Sequence, residues 1–348
     1  MLAAIRTEGD LYSVPKFCLE KEDVEGFVEE LRGFHNEFRD CFSRSEPREN
    51  FFLYMAGQFS PLERKSIEPI ALQVDGGNVR AMQRFVSDAV WNEKAMIAKY
   101  HGLVNDDMGD PAGVVIFDES GFAKKGDESA GVARQYCGST GKVDNCQVGV
   151  FMAYASPHGY AFLDSRLYVP EPWFEEAHRE RREKCRFPVD LQFNTKTQLA
   201  ADMYRDLRSE GVLPFKYVVA DSVYGASPDF INAIEEQVGA TYFVSVCSNT
   251  LAWLREPATE KVPARSKGRL PGRRVIAQGE DKPRELAEIA KGINGFFWYR
   301  RKVSEGTKGP IEYEFTKRRI TLCNDGLPQK TVWLIVRRTI GKKPDYSY

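Results

Sequence analysis

The chain has 348 residues, 42% hydrophobic and 28% charged, with a net charge of -1, a globular composition that excludes disordered, collagen-like and coiled-coil proteins. At about 150 residues per domain this length predicts roughly two domains, and no apolar run approaches the ~18 residues of a membrane span, so no membrane partner is expected. Seven scattered cysteines without a CxxC pair and only four histidines predict neither a disulfide framework nor a zinc site, and the apolar run 2–5 before Arg6 is too short for a signal peptide, so a cytoplasmic protein is expected.

The first ~110 residues read as helices. In DVEGFVEELRGF, Val24, Phe27, Val28, Leu31 and Phe34 recur at helical spacing and are expected to bury one stripe. Ser60-Pro61 with Glu63 has the marks of a helix start: a capping hydroxyl, proline at the first helical position and a carboxylate three residues after the cap. A further helix is predicted from Asn78 through NVRAMQRFVSDAVWNEKAMIAKY, with Val79, Met82, Phe85, Val86 and Ala89 on one face and Arg80, Gln83 and Arg84 outermost. Short helices of this kind serve either a docking bundle, which the sequence favours, or a helix-turn-helix-like DNA contact.

After Gly109-Asp110-Pro111 the pattern changes. GVVIF, 113–117, is an apolar run of the kind a buried strand shows, and it ends on Asp118. NCQVGVFMAYAS and GYAFLDSRLYV, joined at Ser156-Pro157-His158-Gly159, predict a hairpin. TKTQLAADMYRDLRSEG, 195–211, predicts a helix with Leu199, Met203 and Leu207 in register and Gly211 as its stop. KYVVA, 216–220, then delivers Asp221 as GVVIF delivers Asp118, and a helix in SPDFINAIEEQVG and a strand in TYFVSV follow.

Strand, hairpin, helix, strand, helix, strand is the order of a ribonuclease-H-like α/β layer with a mixed sheet. A doubly wound nucleotide-binding sheet is the rival, but no GxGxxG or GxxxxGK[ST] follows a predicted strand. Beyond ~250 the chain predicts a basic loop, a short helix at RELAEIAKG and three strands, FFWYRRKV, IEYEFTKRRITL and TVWLIVRR, with turns at 306–310 and Asn324-Asp325-Gly326. Residues 261–348 hold 21 Lys+Arg against 9 Asp+Glu, a surplus of +12, and the other 260 residues hold 28 against 41, a deficit of -13. A segment this basic attracts phosphates locally although the whole molecule is nearly neutral. Its densest part is KVPARSKGRLPGRR, with Lys267, Arg269, Arg273 and Arg274; a solvated arginine-rich loop is the plain alternative.

Asp118 and Asp221 lie far apart in sequence, yet each terminates an apolar strand, and ligands of an α/β layer collect at the carboxyl ends of strands. Two carboxylates in close approach repel unless a cation sits between them, and hard oxygens suit Mg²⁺ completed by substrate phosphate. The plain alternative is that both aspartates are helix caps or turn formers. After Asp118 comes a polar, glycine-rich loop with Lys124, Lys125, Arg134, Gln135 and Lys142, suited to a phosphate chain, and Tyr136 for stacking. An ordinary solvated β-loop would carry the same residues. An unrelated phosphatase built on Asp118 is disfavoured, because Asp118-Glu119-Ser120 lacks a second aspartate two residues on.

IFDESGFAKKG, GVARQYCGSTGKVDNCQVGV, RLYVPEPW, FNTKTQLA and VVADSVYG closely resemble the DDE-superfamily endonuclease domain of bacterial insertion-sequence transposases, of the insertion-sequence seven-oh-one type allied to the insertion-sequence four group. The resemblance runs from about residue 30 to the end and is dense between 113 and 250. It implies a ribonuclease-H-like core, Mg²⁺ or Mn²⁺ dependence, and cleavage and strand transfer on double-stranded DNA at element ends and target. Asp118 and Asp221 match the family's first two catalytic, metal-binding aspartates, and a nucleoid-associated protein follows. A homodimer is one assembly this reading allows.

The resemblance divides the chain into an N-terminal helical domain, 1–110, a catalytic core, 111–250, and a basic β-rich insertion, 251–348. The family's third acid lies in a Tyr-x2-Arg-x3-Glu-x6-Lys pattern on a final helix, and no window of the sequence satisfies it. A chain truncated before that helix, and inactive in strand transfer, is therefore expected, with a non-catalytic DNA-binding remnant as the alternative. Glu285, Glu288, Glu312 and Glu314 are downstream carboxylates within the insertion and are not expected to substitute. Glu119 should face away from Asp118 if the strand continues.

Overall fold

The computed structural model of the chain describes residues 21–237, 239–261, 274–307 and 309–348. The opening 2–5 run, Lys267, Arg269 and Arg273 lie outside the described residues, as does the side chain of Val24. The chain forms two compact units, one running to Phe193 and taking in Asp202–Tyr217, the other made of Asn194–Ala201 and Val218–Tyr348.

The first unit begins with five helices, α1 (Lys21–Glu37), α2 (Ser45–Gln58), α3 (Ile67–Gln73), α4 (Val79–Ser87) and α5 (Glu93–Met108). Phe38, Cys41, Phe42 and Phe85 form one small core and Ile70, Ala71 and Met82 another. The expected α1 stripe is not buried: Phe27, Val28 and Phe34 are exposed. No helix starts at Ser60, because its hydroxyl and its amide both donate to the Gly57 carbonyl at the end of α2. The hydroxyl is thus spent closing one helix, and α3 opens later, after Ser66. The single helix predicted from Asn78 is two, since Asn78 caps α4 through the Ala81 amide and Asn92 caps α5 through the Ala95 amide. Arg80, Gln83 and Arg84 are exposed, as expected.

The sheet of this unit comprises β1 (Val114–Ala123), β2 (Ala133–Cys137), β3 (Lys142–Ser156) and β4 (Gly159–Tyr168). β1 runs antiparallel along one edge of β3; β2 and β4 share its other edge, β4 closing the predicted hairpin. Val115, Phe117, Val148, Val150, Met152 and Tyr154 are buried on one face. On that side lies His101 of α5, 2% exposed, with Nδ1 2.6 Å from Glu210 and Nε2 3.2 Å from the Leu163 carbonyl of β4. Two short 3₁₀ turns and α6 (Arg179–Lys184) follow, anchored by buried Trp173, which donates to the Val132 carbonyl and stacks on Phe187. The chain crosses between units within α7 (Lys196–Glu210), where Met203 and Leu207 are buried and Gly211, φ +64°, ends the helix as predicted.

In the second unit β5 (Tyr217–Ala220) leads to α8 (Ser222–Gly225), α9 (Pro228–Glu235) and β6 (Thr241–Val244). The Ser245 amide donates to the Ala220 carbonyl, and Ser227 caps α9 through the Phe230 amide. A small hairpin of β8 (Thr259–Lys261) and β9 (Arg274–Ile276) stands apart from a larger sheet. The larger sheet has the order β10 (Arg284–Glu285), β7 (Leu251–Trp253), β12 (Gly309–Asn324), β13 (Leu327–Thr339) and β14 (Tyr346–Ser347), with β11 (Tyr299–Gly306) on β12. The β12–β13 turn puts Asp325 and Gly326 at φ 49° and 74°, the left-handed conformations that Asp and Gly tolerate. Ile320, Leu334, Val336 and Trp298 form its core with Leu286, Ile289 and Ala290 of α10 (Leu286–Lys291). The mixed α/β class read from the sequence holds, with helices first and a β-rich part after ~250.

Candidate active site

Asp118 does not end its strand. β1 continues through Ala123 because pairing with β3 persists from Val114↔Ala155 to Ala123↔Cys146, with Asp118 opposite Phe151. Its neighbours Val115 and Phe117 are buried, so strand alternation turns Asp118 to the open face, where it is exposed. Its Oδ1 accepts the Glu119 amide at 2.8 Å. Glu119 points to the other face, as expected of a continuing strand.

The polar stretch after Asp118 is mostly strand rather than loop. Gly121 makes room for this, since a Cβ there would lie 2.7 Å from Cys137 Sγ. The register sorts the phosphate-contact candidates by face. Arg134 pairs with Asn145 and Tyr136 with Val143, which puts both on the Asp118 face, and both are exposed. Gln135 and Lys142 fall on the opposite face, where Gln135 donates to the Cys146 carbonyl at 3.1 Å and Lys142 lies 3.6 Å from Asp144. Lys124 and Lys125 follow β1, and the Lys124 amide and carbonyl are held by Asn145.

Asp221 occupies the first residue after β5 and is the N-cap of α8: its Oδ1 accepts the Val223 amide at 2.9 Å and the Tyr224 amide at 3.4 Å. The cap role is therefore realised for Asp221, on a turn that Gly225 keeps tight, because a Cβ there would meet the Ser245 carbonyl at 2.2 Å. Arg274 opens β9 and donates to Thr259 Oγ1 at 2.6 Å. Among the described residues no group of three or more His, Cys, Asp or Glu side chains is clustered to hold a metal.

No sequence signal marked the ionic cluster of the first unit. Burial pushes the Asp164 carboxyl above its usual range against the pull of Arg166, whose guanidinium lies 3.5 Å from Asp164 and also binds Asp206. With His101 and Glu210 it ties α5, β4 and α7 together on the closed side of the sheet, away from Asp118.

A mixed α/β sheet that presents an exposed aspartate, with an arginine and a tyrosine farther along the same face, is compatible with the ribonuclease-H-like class. The chain belongs to the DDE superfamily endonucleases, whose family match covers residues 37–310. It is also similar to a Microchaete diplosiphon protein named "Probable transposase for insertion sequence element IS701", 28% identical over 312 residues, spanning 89% of this chain and 71% of that relative. The insertion-sequence transposase resemblance thus stands, and with it a divalent-metal-dependent family that acts on DNA. Among the described residues no helix is long and apolar enough to cross a membrane.

Proposed function

We propose that the chain carries the catalytic core of a DDE transposase, with Asp118 and Asp221 as two ligands of the Mg²⁺ or Mn²⁺ that acts on a DNA phosphodiester. The observation that carries this reading is the coincidence of the family match with Asp118, an exposed carboxylate in mid-strand that follows the buried Phe117.

The donor set fits a hard cation. Mg²⁺ is held by one or two carboxylates, its own waters and substrate phosphate oxygens. When bound, such an ion polarises the phosphoryl oxygen and stabilises the leaving oxygen. In this reading Asp118 and Asp221 bind and orient, Arg134 and Tyr136 meet the phosphate chain on the Asp118 face, and Lys124, Lys125, Gln135, Lys142, Lys267, Arg269, Arg273 and Arg274 are the remaining DNA-contact candidates. Residues 1–110 act as the docking or DNA-contact part, 111–250 as the core and 251–348 as the insertion.

A third carboxylate is not matched within the 348 residues, and the downstream glutamates are poor substitutes. Glu312 is bound by Arg300, and Glu314 accepts from Arg338 at 2.7 Å. DNA binding without cleavage is the second reading, and it predicts a salt-sensitive mobility shift in the absence of metal.

The test is Mn²⁺ binding by electron paramagnetic resonance together with Mg²⁺-dependent nicking of an element-end duplex. Asp118→Asn and Asp221→Asn should each weaken ion binding and abolish any nicking. Wild-type ion binding or nicking in either variant overturns the assignment.

A further inference from the structure

The larger sheet of the second unit has two faces of opposite character. Directly paired residues share a face and alternate along a strand. The pairs Arg301↔Tyr313, Phe315↔Arg337, Lys317↔Ile335 and Arg319↔Trp333 therefore define one side of β11, β12 and β13. Across the stretches Tyr299–Lys302, Tyr313–Thr321 and Thr331–Thr339 that side carries four cations, Arg301, Lys317, Arg319 and Arg337, and no carboxylate. All four cations are exposed. Glu312 and Glu314 fall on the other side, where Arg300 and Arg338 pair with them and Ile320, Leu334 and Val336 are buried.

Rings hold three of these four cations in place. Lys317 Nζ lies 5.1 Å and the Arg319 guanidinium 5.3 Å from the centroid of Trp333, which is 55% exposed, and the Arg337 guanidinium lies 4.6 Å from that of Tyr313. A cation over a ring keeps its charge and still has N–H groups free to meet another acceptor. Neutralising partners are thus replaced by partners that leave the positive potential intact, on a rigid β surface. A surface ion-pair network would do the reverse, as the other face does.

We propose that this face is a phosphate-backbone binding surface for duplex DNA, separate from the Asp118 and Asp221 acids. Exposed cations without carboxylates, interleaved with aromatic side chains, are the footprint of a nucleic-acid contact. The inference rests on the reading of the chain as a DNA-acting protein, and the experiment distinguishes the two.

The test measures binding of the whole chain to a fluorescein-labelled duplex of arbitrary sequence by anisotropy, in EDTA, across a salt series. The Lys317→Gln/Arg319→Gln/Arg337→Gln variant should bind at least about tenfold more weakly at low salt. The slope of log K against log salt should become shallower by about 0.9 for each phosphate that is no longer neutralised. The charge-keeping Arg319→Lys/Arg337→Lys variant should restore the slope, and Arg300→Gln, on the opposite face, should change neither quantity. Circular dichroism melting of every variant shows that weaker binding does not come from unfolding. Wild-type affinity and slope in the triple variant overturn this inference alone. Failure of the wild-type chain to bind any duplex overturns it together with the DNA reading. Binding of polyglutamate in place of DNA, abolished in the triple variant, overturns it in favour of an acidic protein partner.

Discussion

Asp118 and Asp221 are held in different ways, and the difference makes their structural and chemical roles separable. Asp118 is an exposed strand residue whose direction is fixed by pairing with Phe151, whereas Asp221 supplies Oδ1 to two amides at the start of α8. Asparagine serves as an N-cap about as well as aspartate, while alanine offers no acceptor and costs typically about 1 kcal/mol. Asp221→Asn should therefore leave the urea midpoint near wild type, and Asp221→Ala should lower stability by about 1 kcal/mol. Both should lose ion binding to the same degree. Equal stability of the two variants would mean that the cap carries no weight. The preceding apolar run made Asp221 conspicuous in the sequence, but its choice between cap and ligand was not legible there, because a cap signature is local and a shared ion is not.

At the scale of elements, the opening of β1 depends on one buried phenol. Tyr154 of β3, fully buried, accepts the Asp110 amide at 2.9 Å and donates its single proton to the Pro214 carbonyl at 3.0 Å or the Asp110 carbonyl at 3.2 Å. Gly113 admits the ring, since a Cβ there would lie 2.3 Å from the Tyr154 hydroxyl, and the Gly113 carbonyl takes the two amides that start β5. Burial raises the Tyr154 pKa, so the phenol remains a donor. Tyr154→Phe keeps the ring and strips partners from the Asp110 amide and the Pro214 carbonyl, which should cost about 1–3 kcal/mol in denaturant unfolding. An unchanged midpoint would show that water replaces the hydroxyl. Apolar runs and turn residues made the β3–β4 hairpin, α7 with its Gly211 stop, α9 and the β12–β13 hairpin readable from the sequence alone. What escaped were competitions between neighbours: Ser60 spent on α2, Asn92 restarting a helix inside a continuous helical pattern, and β1 extended past Asp118 by its pairing with β3. The division of Arg134 and Tyr136 from Gln135 and Lys142 followed from that same register, which no local pattern carries.

At the scale of the whole molecule, two forces favour self-association, and salt separates them. The Asp118 face of the first unit's sheet also carries Phe122, Tyr160 and Phe162, which pair with Gln147, Ala155 and Ala153 and are 50%, 85% and 70% exposed. Contiguous apolar surface of this kind marks a contact site or an aggregation liability. Near-neutrality removes the repulsion that would oppose such contacts, for the net charge is -1 at pH 7 and the pI is about 6.5. The charge itself is segregated, +12 over residues 261–348 against -13 over the rest, so acidic and basic parts of different copies also attract. Salt screens the second force and leaves the first, with a Debye length of about 10 Å at 0.1 M. Light scattering should therefore show association that is strongest near pH 6.5, weaker at higher pH, and persistent in high salt if the aromatic face drives it. Burying one Phe side chain is worth about 1.5–3 kcal/mol, so Phe162→Ser should weaken association about tenfold or more. An exposed substitution should leave the melting temperature nearly unchanged. Association that salt abolishes and Phe162→Ser leaves intact would assign it to the charge segregation instead.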